Sequence, residues 1–222
     1  MTQNQTYLRG EPLARIVLEG NHVRLAPLSL DHVGGLVAAS AGSRATYGWT
    51  LVPDGAEAMA RYVEDLLALE KAGAALPFVT QEASTGKIVG ATRFMSIEHW
   101  SWPPGLEPPV ARPAGNPDVV EIGGTWLSEG AQRTSINTEA KILMLRHAFE
   151  VWKVYRVSLK TDARNERSRA AITRLGARFD GVLRAHMPAF DGAIRDTAFF
   201  SLLASEWPEV KARLRARLDR GA

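Results

Sequence analysis

The chain contains no cysteine. Disulfides, thiolate metal sites and a cysteine nucleophile are therefore excluded. Its five histidines are scattered through 222 residues without metal-ligand spacing, so no metal is expected. No apolar run approaches the ~20 residues of a membrane span. The opening MTQNQTYLRGEP is polar and lacks a signal-peptide core. No membrane contact is expected, and the cytoplasm is the expected compartment. Charge of one sign is also in short supply. The formal net charge is +3, which permits an anionic ligand without requiring nucleic acid, and no nucleic-acid partner is expected.

What is present is the mix of an ordinary globular protein, with 45% hydrophobic and 23% charged residues. HVRLAPL (22–28) alternates as a strand, and SLDHVGGLVAAS follows as a helix weakened by Gly34 and Gly35. Asp54 with Glu57 resembles a capping box opening a helix to about Lys71. LPFVTQE and IVGATRFMSI read as two strands of a hairpin turned by ASTGK. VVEIGGTWL is a strand carrying Gly123 and Gly124, which mark a bulge or a close backbone approach. A helix then puts Ile142, Leu145, Phe149 and Trp152 on one face, and YRVSLKT alternates as a strand. SRAAITRLGA is a helix closed by Gly176. GVLRAHM and TAFFSLL are strands joined across Asp191-Gly192.

The result is an α/β chain with a mixed sheet of about seven strands, in which the fourth and fifth should run parallel. One domain is expected over 1–222. A loop insertion at about 98–118 holds six of the twelve prolines together with Trp100 and Trp102. Proline lacks the N–H of regular structure, and loops of this length are usually functional or disordered. A helix at about 206–219 ends the chain. Its Trp207, Val210, Leu214 and Leu218 share one face and its arginines the others. That pattern is a solvated face on a packed helix or, alternatively, a ribosome- or RNA-binding patch.

The run GAQRTSINTEAKILMLRHAFE (130–150) sets small and polar residues ahead of a helix. A helix N-terminus offers unpaired N–H groups and positive partial charge, and a strand–loop–helix unit is a common pyrophosphate holder. Gln132, Arg133, Thr134 and Ser135 would add side-chain donors. The alternative is an ordinary capped connection.

LEGNHVRLAPL, EIGGTWLSEGAQRTSINTEA and KTDARNERSRAAITRLGARFDGVLR together resemble the GNAT superfamily of acetyl-CoA-dependent N-acetyltransferases. Within it they are most similar to the branch of the ribosomal-protein N-terminal acetyltransferases. The loop departs from the superfamily pattern, since Arg133 and Ser135 stand at its two glycine positions. The resemblance implies acetyl-CoA as co-substrate and a sheet splayed between the fourth and fifth strands. It implies acyl transfer to an amine acceptor, a protein N-terminus or a small molecule, by direct attack. A homodimer is compatible with it. A transferase of another acyl group, such as succinyl, or a non-catalytic acyl-CoA-binding or ribosome-associated module are the alternatives.

By the same resemblance, N–H donors for the thioester lie around Trp126, Leu127 and Ser128. Gly123 and Gly124 would permit the distortion there, or merely relieve crowding against a helix. Gln132 to Ser135, with Asn137 and Thr138, would hold the pyrophosphate, and Asn165 would bond the pantetheine arm or form an Asx turn. Glu121 is the candidate base; otherwise it is an exposed strand glutamate paired with a basic neighbour. No tyrosine lies in DARNERSRAAI, so Ser168 would serve the leaving thiol as hydrogen-bond donor, or else cap its helix. Tyr47, Trp49, Trp100 and Trp102 are candidates to line the acceptor pocket, with His186 as a reserve acid/base.

Overall fold

The alternating segments of the sequence form strands and the 3.6-period segments form helices. The computed structural model describes residues 13–220, so the polar opening segment lies outside the described residues. The strands are β1 (Leu18–Glu19), β2 (Val23–Pro27), β3 (Ala75–Glu82), β4 (Ile88–Glu98), β5 (Val119–Leu127), β6 (Arg156–Asp162), β7 (Arg178–Pro188) and β8 (Ile194–Leu203). The helices are α1 (Val33–Ser40), α2 (Ala56–Lys71), α3 (Ser135–Arg146), α4 (Glu166–Leu175) and α5 (Trp207–Asp219). The sheet has eight strands in the order β1-β2-β3-β4-β5-β6-β8-β7. The strand beyond the expected seven is the two-residue β1, too short to show a periodicity.

β5 and β6 are parallel, as the helix between them requires; the neighbouring pairs are antiparallel. Their register covers only Val119–Arg156, Val120–Val157 and Glu121–Ser158. Beyond that point β5 continues to Leu127 and β6 to Asp162, so the two strands part.

Strand alternation sorts side chains onto two faces. Val120, Ile122, Val157, Leu159, Ala198 and Phe200 join the larger buried cluster, which α3, α4 and α5 cover. Ala26, Val79, Ala91 and Trp126 join a smaller cluster under α1 and α2. Gly35 lets α1 lie close to β4, where a Cβ would press on the Ile88 side chain. α5 docks through Trp207, which stacks on Phe149 at 5.6 Å and donates from Nε1 to Glu150 at 2.8 Å. Val210 and Leu214 are buried beside it, and Arg213 and Arg215 are exposed, as a packed helix with a solvated face requires.

Two helix boundaries differ from the sequence reading. α2 is capped by Gly55 at φ +79°, not by Asp54; the carboxylate of Asp54 instead lies 3.8 Å from Arg44. After Arg146 the chain winds one wider, π-type turn, His147–Trp152, before Lys153 ends it in the left-handed region. Phe149 and Trp152 are still buried.

α3 is fastened to the first hairpin by one carboxylate. Glu139 is buried and accepts the backbone N–H groups of Asn21, His22 and Val23 at 2.9, 2.6 and 2.9 Å. Gly20 completes the nest, since a Cβ there would meet the carboxyl carbon at 2.4 Å. Replacing Glu139 by Ala strips three donors of their acceptor. The expected cost is about 3 kcal/mol in urea unfolding. Removing the exposed Glu57 partner of Arg61 by E57A should shift stability by less than about 0.5 kcal/mol in the same assay.

Candidate active site

Where β5 and β6 part, backbone groups lose their ladder partners and must find others. The gap opens into a cleft of about 420 Å³, within the ordinary range for small-ligand sites. Ile122, Leu159, Ile172 and Leu175 form an apolar wall, and the 43–53 loop contributes Tyr47 and Trp49. The charged residues that line it are Arg133, Lys141, Lys160, Arg167 and Glu166, four cations and one acid. That balance attracts anions.

A bulge shapes the β5 wall. Ala91 pairs with Trp126 but Arg93 pairs with Gly123, so β5 carries an extra residue. Gly124 has φ +57°, and a Cβ on it would meet the Arg93 guanidinium at 2.4 Å. Gly123 leaves room for Met95 Sδ and Glu121 Oε1. The crowding these glycines avoid therefore comes from side chains of β4 and of β5 itself, not from a helix. Ser128 N–H donates to Val89 O at 2.7 Å, which removes it from the donors expected for a thioester. Strand alternation turns Leu127 the other way. Its carbonyl accepts from Tyr47 OH at 3.1 Å and from Gln132 Nε2 at 2.9 Å.

The loop into α3 keeps the path that glycine would give it. Arg133 itself takes φ +62°, a left-handed conformation that costs an L-residue roughly 1–2 kcal/mol. Thr134 caps α3, accepting from Ile136 N–H at 3.3 Å and donating to Ala131 O at 2.8 Å. Ser135 is the first helical residue. Thr138 is buried on α3 and does not line the cleft. Gln132 spans the cleft mouth: Nε2 donates to Thr46 Oγ1 at 2.9 Å and Oε1 accepts from Arg167 at 2.7 Å. Two buried polar atoms of the cleft walls have no hydrogen-bond partner among the described residues, Trp126 Nε1 and Asn137 Oδ1.

On the far wall, Asn165 caps α4 by accepting Ser168 N–H at 3.0 Å. The cap is thus Asn165, and Ser168 is the third helical residue. Its hydroxyl is spared that duty in the cleft wall. Trp49 also lines the cleft, with the Arg164 guanidinium 4.5 Å above its ring. Arg164 is held in turn by Asp162 and Asp191, each at 2.8 Å. The hydrogen bonds from Arg164 keep the Asp162 carboxyl below its usual range.

Glu121 marks the last position of β5 paired with β6. It is buried, not exposed; its Oε2 meets Lys160 Nζ at 2.9 Å and accepts from Ser96 Oγ at 3.0 Å. Register puts Glu121, Ser158, Lys160 and Phe199 on the sheet face opposite α3. His186 stands on that face too, with Nδ1 2.9 Å from Thr197 Oγ1 and its ring 5.3 Å from Phe199. Burial, then Lys160 and Arg195, hold its pKa below the ordinary histidine value.

Trp100 and Trp102 are not in the cleft. Trp100 stacks on Tyr155 at 5.5 Å and donates from Nε1 to Glu98 at 3.2 Å; Trp102 meets the edge of the same tyrosine. Arg112 lies 4.9 Å over Tyr155 and pairs with buried Asp118 at 2.9 Å. Both tryptophans pack on Tyr155 at the closed end of β5 and β6, Trp102 half-buried and Trp100 still exposed, and neither faces the gap.

Sequence reasoning missed Lys141, Thr125 and Arg167. The signal for Lys141 was present: it is the one charged residue in the otherwise uncharged run AKILML.

The fold and cleft together present a parted mixed sheet, a helix-entry loop carrying Arg133 and a cleft in which cations outnumber acids, the setting of an anion-binding transferase. The family model "Acetyltransferase (GNAT) domain" matches residues 22–178. A GCN5-related N-acetyltransferase from Brucella melitensis is 30% identical, covers 97% of this chain and 90% of its own, and superposes with a TM-score of 0.78. Mycobacterium smegmatis RimJ, solved in complex with CoA-disulfide, shares the fold at 21% identity, with 93% and 95% covered and a TM-score of 0.70. The microcin C7 self-immunity acetyltransferase MccE, in complex with acetyl-CoA and AMP, shares it at 18% identity, 83% and 93% covered and a TM-score of 0.66. Among curated proteins none matches. The chain belongs to the GNAT acetyltransferase family and is an acyltransferase that uses acetyl-CoA. Among the described residues there is no metal-ligand cluster and no helix long and apolar enough to cross a membrane.

The position of Trp100 gives a test. Trp100→Leu should lower stability by about 1 kcal/mol through the lost stack, read by chemical unfolding. CoA affinity by calorimetry should stay within about twofold.

Proposed function

We propose that this acyltransferase moves an acetyl group from acetyl-CoA to a primary amine, the α-amine of a protein N-terminus or of a small molecule, by direct attack in a ternary complex in the cytoplasm. The observation that carries this reading is the end of β5–β6 pairing at Glu121 and Ser158. It leaves a gap with the basic cleft on the α3 side and the Glu121–Lys160–Ser96 cluster on the other. Acetyl-CoA supplies an acyl carbon activated as a thioester.

The chain's own residues then have separable tasks. The α3 entry and Arg133 bind the pyrophosphate; guanidinium and helix N–H groups both favour it. Asn137 and Trp126 satisfy their unpaired atoms on the pantetheine arm. The free N–H groups of β5 beside the bulge receive the carbonyl oxygen. Tyr47 and Trp49 border the mouth. Glu121 takes the amine proton, directly or through water. Its Oε2 is engaged by Lys160 and Ser96, and Oε1 has no hydrogen bond among the described residues. Ser168 donates a hydrogen bond to the sulfur.

The acceptor must arrive neutral. An α-amine with a pKa of roughly 8 loses its proton at about 3 kcal/mol less cost than a lysine amine at about 10.4. That smaller cost favours the α-amine.

Thiol release from acetyl-CoA against a panel of N-terminal peptides, a lysine side-chain peptide with a blocked terminus and small amines tests the reading. The α-amines should lead; no turnover with any amine would refute it. Glu121→Gln should lower kcat by about 10²-fold with KM for acetyl-CoA within about threefold. Arg133→Gly should relieve the left-handed strain, keep stability within about 1 kcal/mol, and weaken CoA binding about tenfold by calorimetry.

A further inference from the structure

We infer that Lys141 is the acid that protonates the departing thiol sulfur. The inference rests on the acyl-transfer reading of the cleft and fills a gap in it, because the hydroxyl of Ser168 can donate a hydrogen bond but is a poor source of a proton.

Lys141 projects from the second turn of α3 and is 5% exposed, yet its side chain lines the cleft. Nζ lies 2.6 Å from Thr125 Oγ1 and 3.3 Å from Thr92 Oγ1, and these hydroxyls are 2.7 Å from each other. Thr125 belongs to the bulged part of β5 and lines the cleft. The two threonines therefore hold the amine at the wall beside which the thioester must lie. An ammonium has three donors, and among the described residues it meets these two acceptors, which leaves one N–H for a ligand.

No carboxylate lies within ion-pair distance of Lys141 among the described residues. Facing it are Thr92 and Met144 around the β4 contact, Thr125 on β5, and the apolar Leu159 and Ile172 across the cleft. Arg133, Lys160, Glu166 and Arg167 share the cleft, but burial alone sets its shift and brings the pKa down to about 7. A lysine so placed is still half protonated at neutral pH and gives its proton up readily. An acid is most effective when its pKa lies near the working pH.

The step balances. The amine nitrogen bonds to the acyl carbon, the carbon–sulfur bond breaks, and its electron pair goes to sulfur. Sulfur takes a proton from the Lys141 ammonium, leaving CoA thiol and a neutral lysine. The surplus proton of the acceptor nitrogen leaves by way of Glu121 or water, and solvent reprotonates Lys141.

The sign of the pH effect follows. Loss of the Lys141 proton removes the acid, so kcat should fall above a midpoint near 7, about tenfold per pH unit at the limit. The rising limb at lower pH belongs to the acceptor amine. The test is thiol release from acetyl-CoA between pH 5.5 and 9.5 (range of roughly four units, spanning both limbs), with the best amine of the panel and with water as acceptor. Wild-type protein should show the descending limb. Lys141→Met should lose about 10²-fold in kcat, keep its acetyl-CoA KM within about threefold, and lack that limb. A purely structural lysine would move KM or the melting temperature and leave the shape of the profile intact. A wild-type profile that climbs steadily through pH 9, or a Lys141→Met protein with full kcat, overturns the assignment while leaving acetyl transfer standing. If the variant does not fold, the wild-type profile alone decides. Absence of thiol release from wild-type protein would instead remove the acetyl-transfer reading, and this assignment with it.

Discussion

Everything in this molecule turns on a pairing that stops early. Parallel strands β5 and β6 share three residue pairs and then diverge, with six further residues on β5 and four on β6. A parted pair exposes backbone donors and acceptors that the interior does not tolerate unpaired. Part of the debt is met by the protein itself: Tyr47 and Gln132 donate to the Leu127 carbonyl, and Ala163 N–H finds Asp196 O.

The parting is built, not incidental. The bulge at Gly124 shifts the β5 register against β4, and Arg93 occupies the space a side chain there would need. On the other strand, Asp162 is tied to Arg164, which is also bonded to Asp191 in the β7–β8 turn and lies over Trp49. The two halves of the sheet are thus held from outside the gap. Glu139 performs a related service for α3, fixing its first turns to the hairpin at Asn21–Val23 so that its N-terminus faces the cleft.

Charge is distributed to match. Arg133, Lys141 and Arg167 line the cleft with one acid, Glu166, while the fourth cation, Lys160, is taken up by Glu121 on the opposite sheet face. The deepest cation, Lys141, has no carboxylate within ion-pair distance among the described residues, and desolvation lowers its affinity for a proton. A buried lysine held by two hydroxyls and no carboxylate among the described residues is a costly choice for packing alone, which is why its place in the cleft wall carries weight.

Local sequence determined much of this. The strand alternation in VVEIGGTWL and YRVSLKT, the glycine close of α4 at Gly176 and the helix-entry loop ahead of α3 all follow from nearest-neighbour periodicity and backbone preference, and the structure keeps them. Nine of the site residues expected from sequence line the cleft: Tyr47, Trp49, Trp126, Leu127, Gln132, Arg133, Asn137, Asn165 and Ser168. Partnerships across the chain were beyond it. Trp100 and Trp102 read as pocket residues until Tyr155 and Arg112 take them up, because a tryptophan's need for burial does not say against what. Lys141 reads as one polar residue on a helix until β4, β5 and α4 close around it. Periodicity depends on neighbours within a few residues and is written into the chain. Burial, counter-charge and the point where two strands part depend on segments far apart in sequence, so only the tertiary structure decides them.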